Sequence, residues 1–552
     1  MFRSSSFLRS AAPDLRFQYF PELLVMNYQW SEQWNGYRSV IKLDLPSDTW
    51  IYTSECSMIK LVNRSPLTGG VFMTGDISSC DVIVVGKGEN FLLAGAVTAH
   101  RSQTVLRVLF EQRRLSGIEV WQPEIREGES PEEMVILEGS DWRTLLCQYA
   151  DIAAEKAGVA PIEAKKNMTG YCSWYYYYKD VSEKNMLENV DALIANRTPY
   201  SADYIQIDDG YQTFQGDWLD QHENWPTPLE KIAQKITSAG IGAGIWTMPT
   251  TASTGSRVYR EHPDWFVKKE NGETAVLPGW SPAPDNLWAC LDATNPGARE
   301  HIAHVFKTFR AMGFTYFKMD GLYFGLQKGI RYDRNATAVS GFRLLLETIR
   351  KAVPDAVLMA CSEPFLPCLG LVDNARMSND TSRYFSKTEK PQLLDCSIEA
   401  AFKISLSNFW MFDRWFRCDP DVVMARQDNA FYSRNEAKIS VLGGIMTGVA
   451  FTSDHLGTIN PDRNALLALA QDIRMRKVRP FNSIPNVWAD TFEGEVDGKR
   501  AVAVVNFSNE AKIQTLESLQ MPEKCVDLLD GRRVLHELVL EPHDAVLLVS
   551  AE

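Results

Sequence analysis

The run Phe314-Thr-Tyr-Phe-Lys-Met-Asp320-Gly-Leu-Tyr sets Lys318 and Asp320 at the end of an apolar stretch. The stretch reads as a buried strand, and polar groups at such an end cost free energy unless they find partners or serve a site. A carboxylate beside a cation is a candidate nucleophile. Carboxylates and aromatics recur at the ends of other apolar runs: Gly170-Tyr-Cys-Ser-Trp174, Tyr204-Ile-Gln-Ile-Asp208-Asp209-Gly210-Tyr with Gly216-Asp217-Trp218, Gly242-Ala-Gly-Ile-Trp246-Thr-Met-Pro, and Arg376-Met-Ser-Asn-Asp380-Thr-Ser-Arg383. A lone aspartate is more often a helix cap or a surface charge. Capping does not call for an adjacent Trp and Lys, so several carboxylates at the same end of different strands point to a site. Cleaving a glycosidic bond needs two carboxylates flanking the sugar, about 5 to 5.5 Å apart in a retaining enzyme and farther apart in an inverting one. Asp320 and Asp380 lie about two barrel units apart, which lets them face each other across a barrel mouth. Their separation is left open by the sequence.

The elements that must hold these residues alternate in type. From about 165 to 480, apolar strands ending near Trp174, Asp208, Trp246, Asp320, Cys361, Asp380, Arg417 and Ser453 alternate with amphipathic helices. Helices are predicted over Ser182–Asn196, Leu229–Ala239, Arg299–Met312 and Gly341–Val353. That alternation predicts an α/β fold with a central (β/α)8 TIM barrel, whose chemistry sits at the C-terminal ends of the strands. Residues 1–140 read as an N-terminal β-sandwich, with strands at Trp50–Ser54, Asp81–Gly86, Phe91–Val97 and Thr104–Phe110. The stretch from Ser140 to Ala154, within 141–164, reads as a linker helix. Residues 484–552 return to short strands, such as Arg500–Phe507 and Ala545–Ser550, and read as a small C-terminal β-domain.

Composition narrows the partners. The chain has 552 residues, 45% hydrophobic and 23% charged, as soluble globular proteins do. A formal net charge of -13 argues against nucleic acid or an anionic membrane as main partner. The 15 Trp, 19 Tyr and 26 Phe, many beside acidic residues, suit sugar rings, although a large core also calls for aromatics. Ten cysteines form no CxxC pair, and eight histidines form no HxH or HExxH, so no metal site or cofactor is expected. Reduced thiols, with no apolar run of signal-peptide or membrane-span length, predict a cytoplasmic protein acting on a small carbohydrate.

The ordered set of motifs resembles the α-galactosidase-like glycoside hydrolases of family 36 and their relatives in family 27. Its carriers are Gly170–Trp174, Ile207–Tyr211 with Gly216–Trp218, His262-Pro-Asp-Trp265 with Leu291-Asp292, Phe317–Asp320 and Arg376–Asp380. The resemblance implies a retaining mechanism with Asp320 as nucleophile and Asp380 as acid/base. It also implies that Asp208 and Asp209 bind the 4- and 6-hydroxyls of galactose, with Trp246, Trp174 and Trp218 around the same sugar. Lys318 matches a lysine near the nucleophile, and Arg376 a group that orients the acid/base. Asp419 and Asp421, in Arg417-Cys-Asp-Pro-Asp421, read as structural. Two departures stand out. Leu322 replaces a frequent asparagine, and Cys361 leads into Ser362-Glu363-Pro364 instead of paired glycines. Both positions face the 2-hydroxyl side of the sugar in relatives, so the C2 substituent is open. Glu363 either takes a hydroxyl or amino group there or is a loop residue. Transglycosylation, N-acetylgalactosaminidase activity and an inactive sugar-binding role are the alternatives. Relatives often form dimers or tetramers, which leaves a homo-oligomer open.

Overall fold

The computed structural model describes residues 36–45, 50–53, 78–112, 114–195, 199–279, 287–386, 396–482 and 489–551. Ser54 and Asn196, which end a predicted strand and a predicted helix, lie outside them.

Eight parallel strands form the central sheet: Met168–Cys172, Tyr204–Ile207, Gly242–Thr247, Phe314–Met319, Val357–Ala360, Asn374–Arg376, Arg417–Asp419 and Val449–Thr452. The first seven pair in sequence order, and the eighth pairs with the first. Isolated parallel bridges, Cys418 to Gly448 and Val423 to Thr452, close the seam between the seventh and eighth. The result is the expected (β/α)8 barrel.

Strand periodicity decides which residues reach the interior. Alternate side chains point to opposite faces of a sheet. On the fourth strand, the Phe317 ring meets Phe306 of helix Pro296–Met312, whereas Tyr316 meets Tyr204 and Phe451 of other barrel strands. Tyr316, Lys318 and Asp320 therefore share the interior face. A Cβ at Gly170 or Gly242 would strike the ring of Phe451 or Tyr204, so these glycines make room for aromatics that fill the barrel below the charged layer.

Local chemistry sets the helix starts. Ser182 caps helix Glu183–Ile194 in a reciprocal pair with Asn185. Helix Pro296–Met312 begins earlier than predicted, because the Asn295 side chain accepts from the Gly297 N–H and Pro296 fits the first helical position.

Two barrel strands differ from expectation. The sixth ends at Arg376, four residues before Asp380, because side chains take over from the ladder: Ser378 Oγ donates to the Pro420 carbonyl and Thr381 N–H to Asp421 Oδ2. The seventh begins, instead of ending, at Arg417. The apolar run before it makes a 3-10 turn, Phe409–Met411, whose Trp410 packs against Tyr149, while Trp415 donates to the Ala150 carbonyl at 2.8 Å.

Around the barrel, the N-terminal region forms two four-stranded antiparallel sheets. Helix Trp142–Ala157 is capped by Asp141 and joins them to the barrel, with Tyr149 Oη donating to the Ala96 carbonyl at 2.7 Å. The C-terminal sheet has eight antiparallel strands. Its first, Met475–Pro480, lies within the segment expected to be barrel, but pairs with Thr491–Val496. Period-two alternation splits its core: Ala501, Ala503 and Val505 join the large core shared with the barrel, while Val502 and Val504 join a smaller one behind.

Candidate active site

The charged layer sits where the barrel strands run out. Asp320 follows the fourth strand, its backbone N–H held by the Thr247 carbonyl at 2.8 Å. It lies deep in the protein yet keeps part of its surface open to the mouth. Its Oδ1 accepts from the Gly321 N–H at 2.7 Å and from Ser362 Oγ at 2.9 Å, and its Oδ2 from Trp246 Nε1 at 3.2 Å. Gly321 has φ +58, a left-handed conformation natural to glycine, and a Cβ there would press on Met248. Burial alone would raise the Asp320 pKa. The Arg376 and Lys318 charges, the Cys361 thiol and the Gly321 N–H outweigh it and hold the carboxyl down to about 2.

Lys318 and Asp208 form a buried ion pair at 2.9 Å. Asp208 Oδ2 also accepts from Gln206 Nε2 at 2.5 Å and the Cys172 thiol at 3.2 Å, and the Asp208 N–H donates to Ser173 Oγ at 3.0 Å. Asp209 accepts from Gln212 Nε2 at 2.5 Å, and burial pushes its carboxyl up to about 6.

Arg376 is the second buried cation. Its Nη1 donates to Asp380 Oδ1 at 2.5 Å and lies 3.9 Å from Asp421 Oδ2, and its Nη2 donates to Ser362 Oγ at 3.2 Å. Ser362 thus bridges Arg376 and Asp320, and it does so at φ +55, a costly conformation for a residue with a Cβ. The Asp380 side chain is 42% exposed. Asp421 accepts from the Thr381 N–H and so shapes the loop that carries Asp380. Beside these, Glu363 is fully buried with neither carboxyl oxygen hydrogen-bonded, and burial pushes its pKa well up. Asp419 is likewise raised by burial, to about 7.

Asp208, Asp209, Trp246, Lys318, Asp320, Cys361, Arg376 and Asp380 therefore form one connected layer. Trp174 stands at its edge, partly exposed and edge-on to Tyr178 with centroids 5.6 Å apart. Trp218 is buried behind Trp246, edge-to-face at 5.8 Å, where it braces that ring. His262-Pro-Asp-Trp265 and Leu291-Asp292 build a structural knot instead: the His262 ring stacks on Trp265 at 3.7 Å, and the Asp292 N–H donates to the Trp265 carbonyl. Ser362, Gln206, Cys172 and Ser173 belong to the layer but were not singled out by type. Gln206 and Cys172 were detectable by parity, each lying an even number of residues from an inward-facing group. Among the described residues no cluster suits a metal ion.

Residues 178–334 match the Melibiase family model. Alpha-galactosidase 1 of Pediococcus pentosaceus is 21% identical over 181 residues, 32% of this chain and 23% of that protein. The A type blood alpha-D-galactosamine galactosaminidase of Flavonifractor plautii is 28% identical over 121 residues, 21% of this chain and 11% of its own length. The matched stretches thus span less than a quarter of these relatives. Among solved structures, the α-galactosidase TtGalA from Thermus thermophilus, in complex with p-nitrophenyl alpha-D-galactopyranoside, superimposes with a TM-score of 0.65 at 22% identity. That match covers 85% of this chain and 94% of that one, and it concerns the fold. The chain is related to the α-galactosidase-like glycoside hydrolases of families 27 and 36. Among the described residues no helix is long and apolar enough to cross a membrane.

Proposed function

We propose that the chain is a retaining, exo-acting α-glycosidase that removes terminal α-galactosyl residues. Asp320 attacks the anomeric carbon while Asp380 protonates the departing oxygen. The covalent glycosyl-enzyme ester then loses its sugar to water, which Asp380 deprotonates. Asp208 and Asp209 take the 4- and 6-hydroxyls, and Trp246 and Trp174 border the ring. The observation that carries this reading is the state of Asp320: a carboxylate at a strand end, set deep beside two buried cations, held near pKa 2, with an open side toward the mouth. Such a group stays ionised and oriented at every working pH. Asp380, half-exposed and bonded to Arg376, stands where a leaving group and water have access. In this reading the enzyme works in the cytoplasm, a compartment that keeps thiols reduced.

Leu322 is fully buried and offers no polar group, with the Glu363 carboxyl near the same strand ends. This favours, as a second reading, the same machinery acting on a sugar with a C2 substituent other than hydroxyl, such as an N-acetylgalactosaminide. Aryl α-galactoside, α-N-acetylgalactosaminide and α-glucoside, each followed by NMR of the first-formed anomer, test both the sugar and the stereochemistry. An inverted product refutes the retaining mechanism. Asp320→Asn is expected to abolish turnover with the fold intact, and near-normal activity refutes the nucleophile.

A further inference from the structure

Two loops meet beside Asp380. The loop after the sixth strand runs from Asp380 to Arg383 and Tyr384, and the loop after the seventh carries Asn429 and Phe431. Both leave the C-terminal ends of their strands, so both stand on the rim of the mouth. The Phe431 N–H donates to the Arg383 carbonyl at 2.7 Å, and the Tyr384 and Phe431 rings stack with centroids 4.9 Å apart and planes 8° from parallel. The Arg383 guanidinium lies over both rings, 5.6 and 5.3 Å from their centroids, and its Nη1 donates to Asn429 Oδ1 at 2.9 Å. Phe431 is nonetheless 61% exposed.

A single exposed phenylalanine is ordinary on a protein surface. This one differs in being pre-oriented by a stacked ring, a cation and a backbone hydrogen bond, none of which buries its open part. Its backbone partner Arg383 also lies three residues along the chain from Asp380, the group from which a proton must pass to the leaving oxygen. Asp320 lies deep and Asp380 is half-exposed, so the sugar to be transferred goes inward and the leaving group stays on the rim. Tyr178, on the loop after the first strand, is within electrostatic reach of both Arg383 and Asp380, so that rim is continuous.

We infer that Phe431 and Tyr384, braced by Arg383, form the binding platform for the leaving group, taking a sugar ring by its C–H face. Arg383 supplies hydrogen-bond donors for that sugar's hydroxyls. The inference rests on the proposed glycosidase reading. It adds a binding site that the deep pocket does not require.

The test compares Phe431→Ala with the parent on an α-galactosyl oligosaccharide and on α-galactosyl fluoride, whose leaving group has no ring. The expected kcat/KM falls on the order of 3- to 10-fold for the oligosaccharide, from loss of aromatic contact, and stays within about twofold for the fluoride. Inhibition by a galactose-configured iminosugar should not change, and Phe431→Trp should restore the oligosaccharide rate. Equal losses on both substrates, or no loss on either, overturn the platform while leaving the glycosidase reading intact. A parent protein that turns over neither substrate overturns both.

Discussion

Removing the Ser362 hydroxyl tests how the candidate nucleophile is held. Ser362→Ala deletes a donor 2.9 Å from Asp320 Oδ1 and the acceptor for Arg376 Nη2 at 3.2 Å. A hydrogen bond to a charged group is worth about 1.5 to 3 kcal/mol. Asp320 keeps Gly321, Trp246 and Cys361 as donors, so the lower part of that range applies, a loss of about 10- to 30-fold in kcat/KM. The same loss raises the Asp320 pKa by about 1, at about 1.4 kcal/mol each. From a start near 2 the group stays ionised at neutral pH, so the rate deficit is one of orientation and should be constant between about pH 5 and 8. Ser362→Gly removes the same hydroxyl but relieves the left-handed backbone at φ +55. It should be as slow as the alanine variant yet more stable by about 1 kcal/mol. The assay is kcat/KM on p-nitrophenyl α-galactoside across that pH range, with Tm for both variants. An alanine variant within about twofold of the parent, a deficit that widens toward acid, or rates that track stability would each refute the reasoning.

Two further outcomes follow from the same layer. Asp380→Ala should slow substrates with poor leaving groups far more than p-nitrophenyl ones, with azide restoring part of the rate as an α-galactosyl azide that product analysis detects; a loss independent of the leaving group counts against the acid role. Burial holds Asp209 from 3.8 up to about 6. The folded state then binds its proton more tightly than the unfolded chain, so this group's contribution to stability falls as pH rises from 3.8 to 6 and stays lost above. Asp209→Asn should therefore raise stability at pH 7 by up to about 3 kcal/mol while weakening galactose binding, a gain that vanishes below pH 4 when Tm is followed against pH.

Most of the barrel was legible because parallel strands buried on both faces read as continuous apolar runs. The fourth strand shows this best: Phe314 to Met319 announces the strand, and parity then puts Lys318 and Asp320 on the interior face. The sixth and seventh strands, each three residues long, were placed less well. So short a ladder leaves little periodicity, and the aromatic run from Phe409 to Phe416 has strand composition but is used to pack the linker helix against the barrel. Met475–Pro480 falls inside the segment read as barrel, and its partner, Thr491–Val496, lies across a stretch that composition does not bridge. Ser362 was passed over for a different reason. Serine is common in loops, and nothing local to Cys361-Ser-Glu reveals that its hydroxyl joins a cation on the sixth strand to a carboxylate on the fourth.

The layer also raises the question of which of its carboxylates carries charge. Asp320, Asp419 and Asp421 all feel both Lys318 and Arg376, and Glu363 feels Arg376. Burial is the first influence on each, yet Asp320 falls and the other three rise. The Arg376 and Lys318 charges are the strongest lowering influences on Asp320, and hydrogen-bond donors add to them one oxygen at a time. Asp320 has four donors: Gly321 N–H, Ser362 Oγ, Trp246 Nε1 and the Cys361 thiol. Glu363 has none on either oxygen, and Asp419 has an unpaired Oδ1 and the like charge of Asp421 beside it, against one backbone donor. Asp421 has the Thr381 N–H and the Tyr175 hydroxyl, but Asp380 stands beside it as a like charge. The two cations, with these donors behind them, thus hold Asp320 down, whereas burial without comparable pairing raises Glu363 and Asp419. Arg376 in turn spends its donors on Ser362 and Asp380, the two contacts through which that cation supports the candidate nucleophile and the candidate acid.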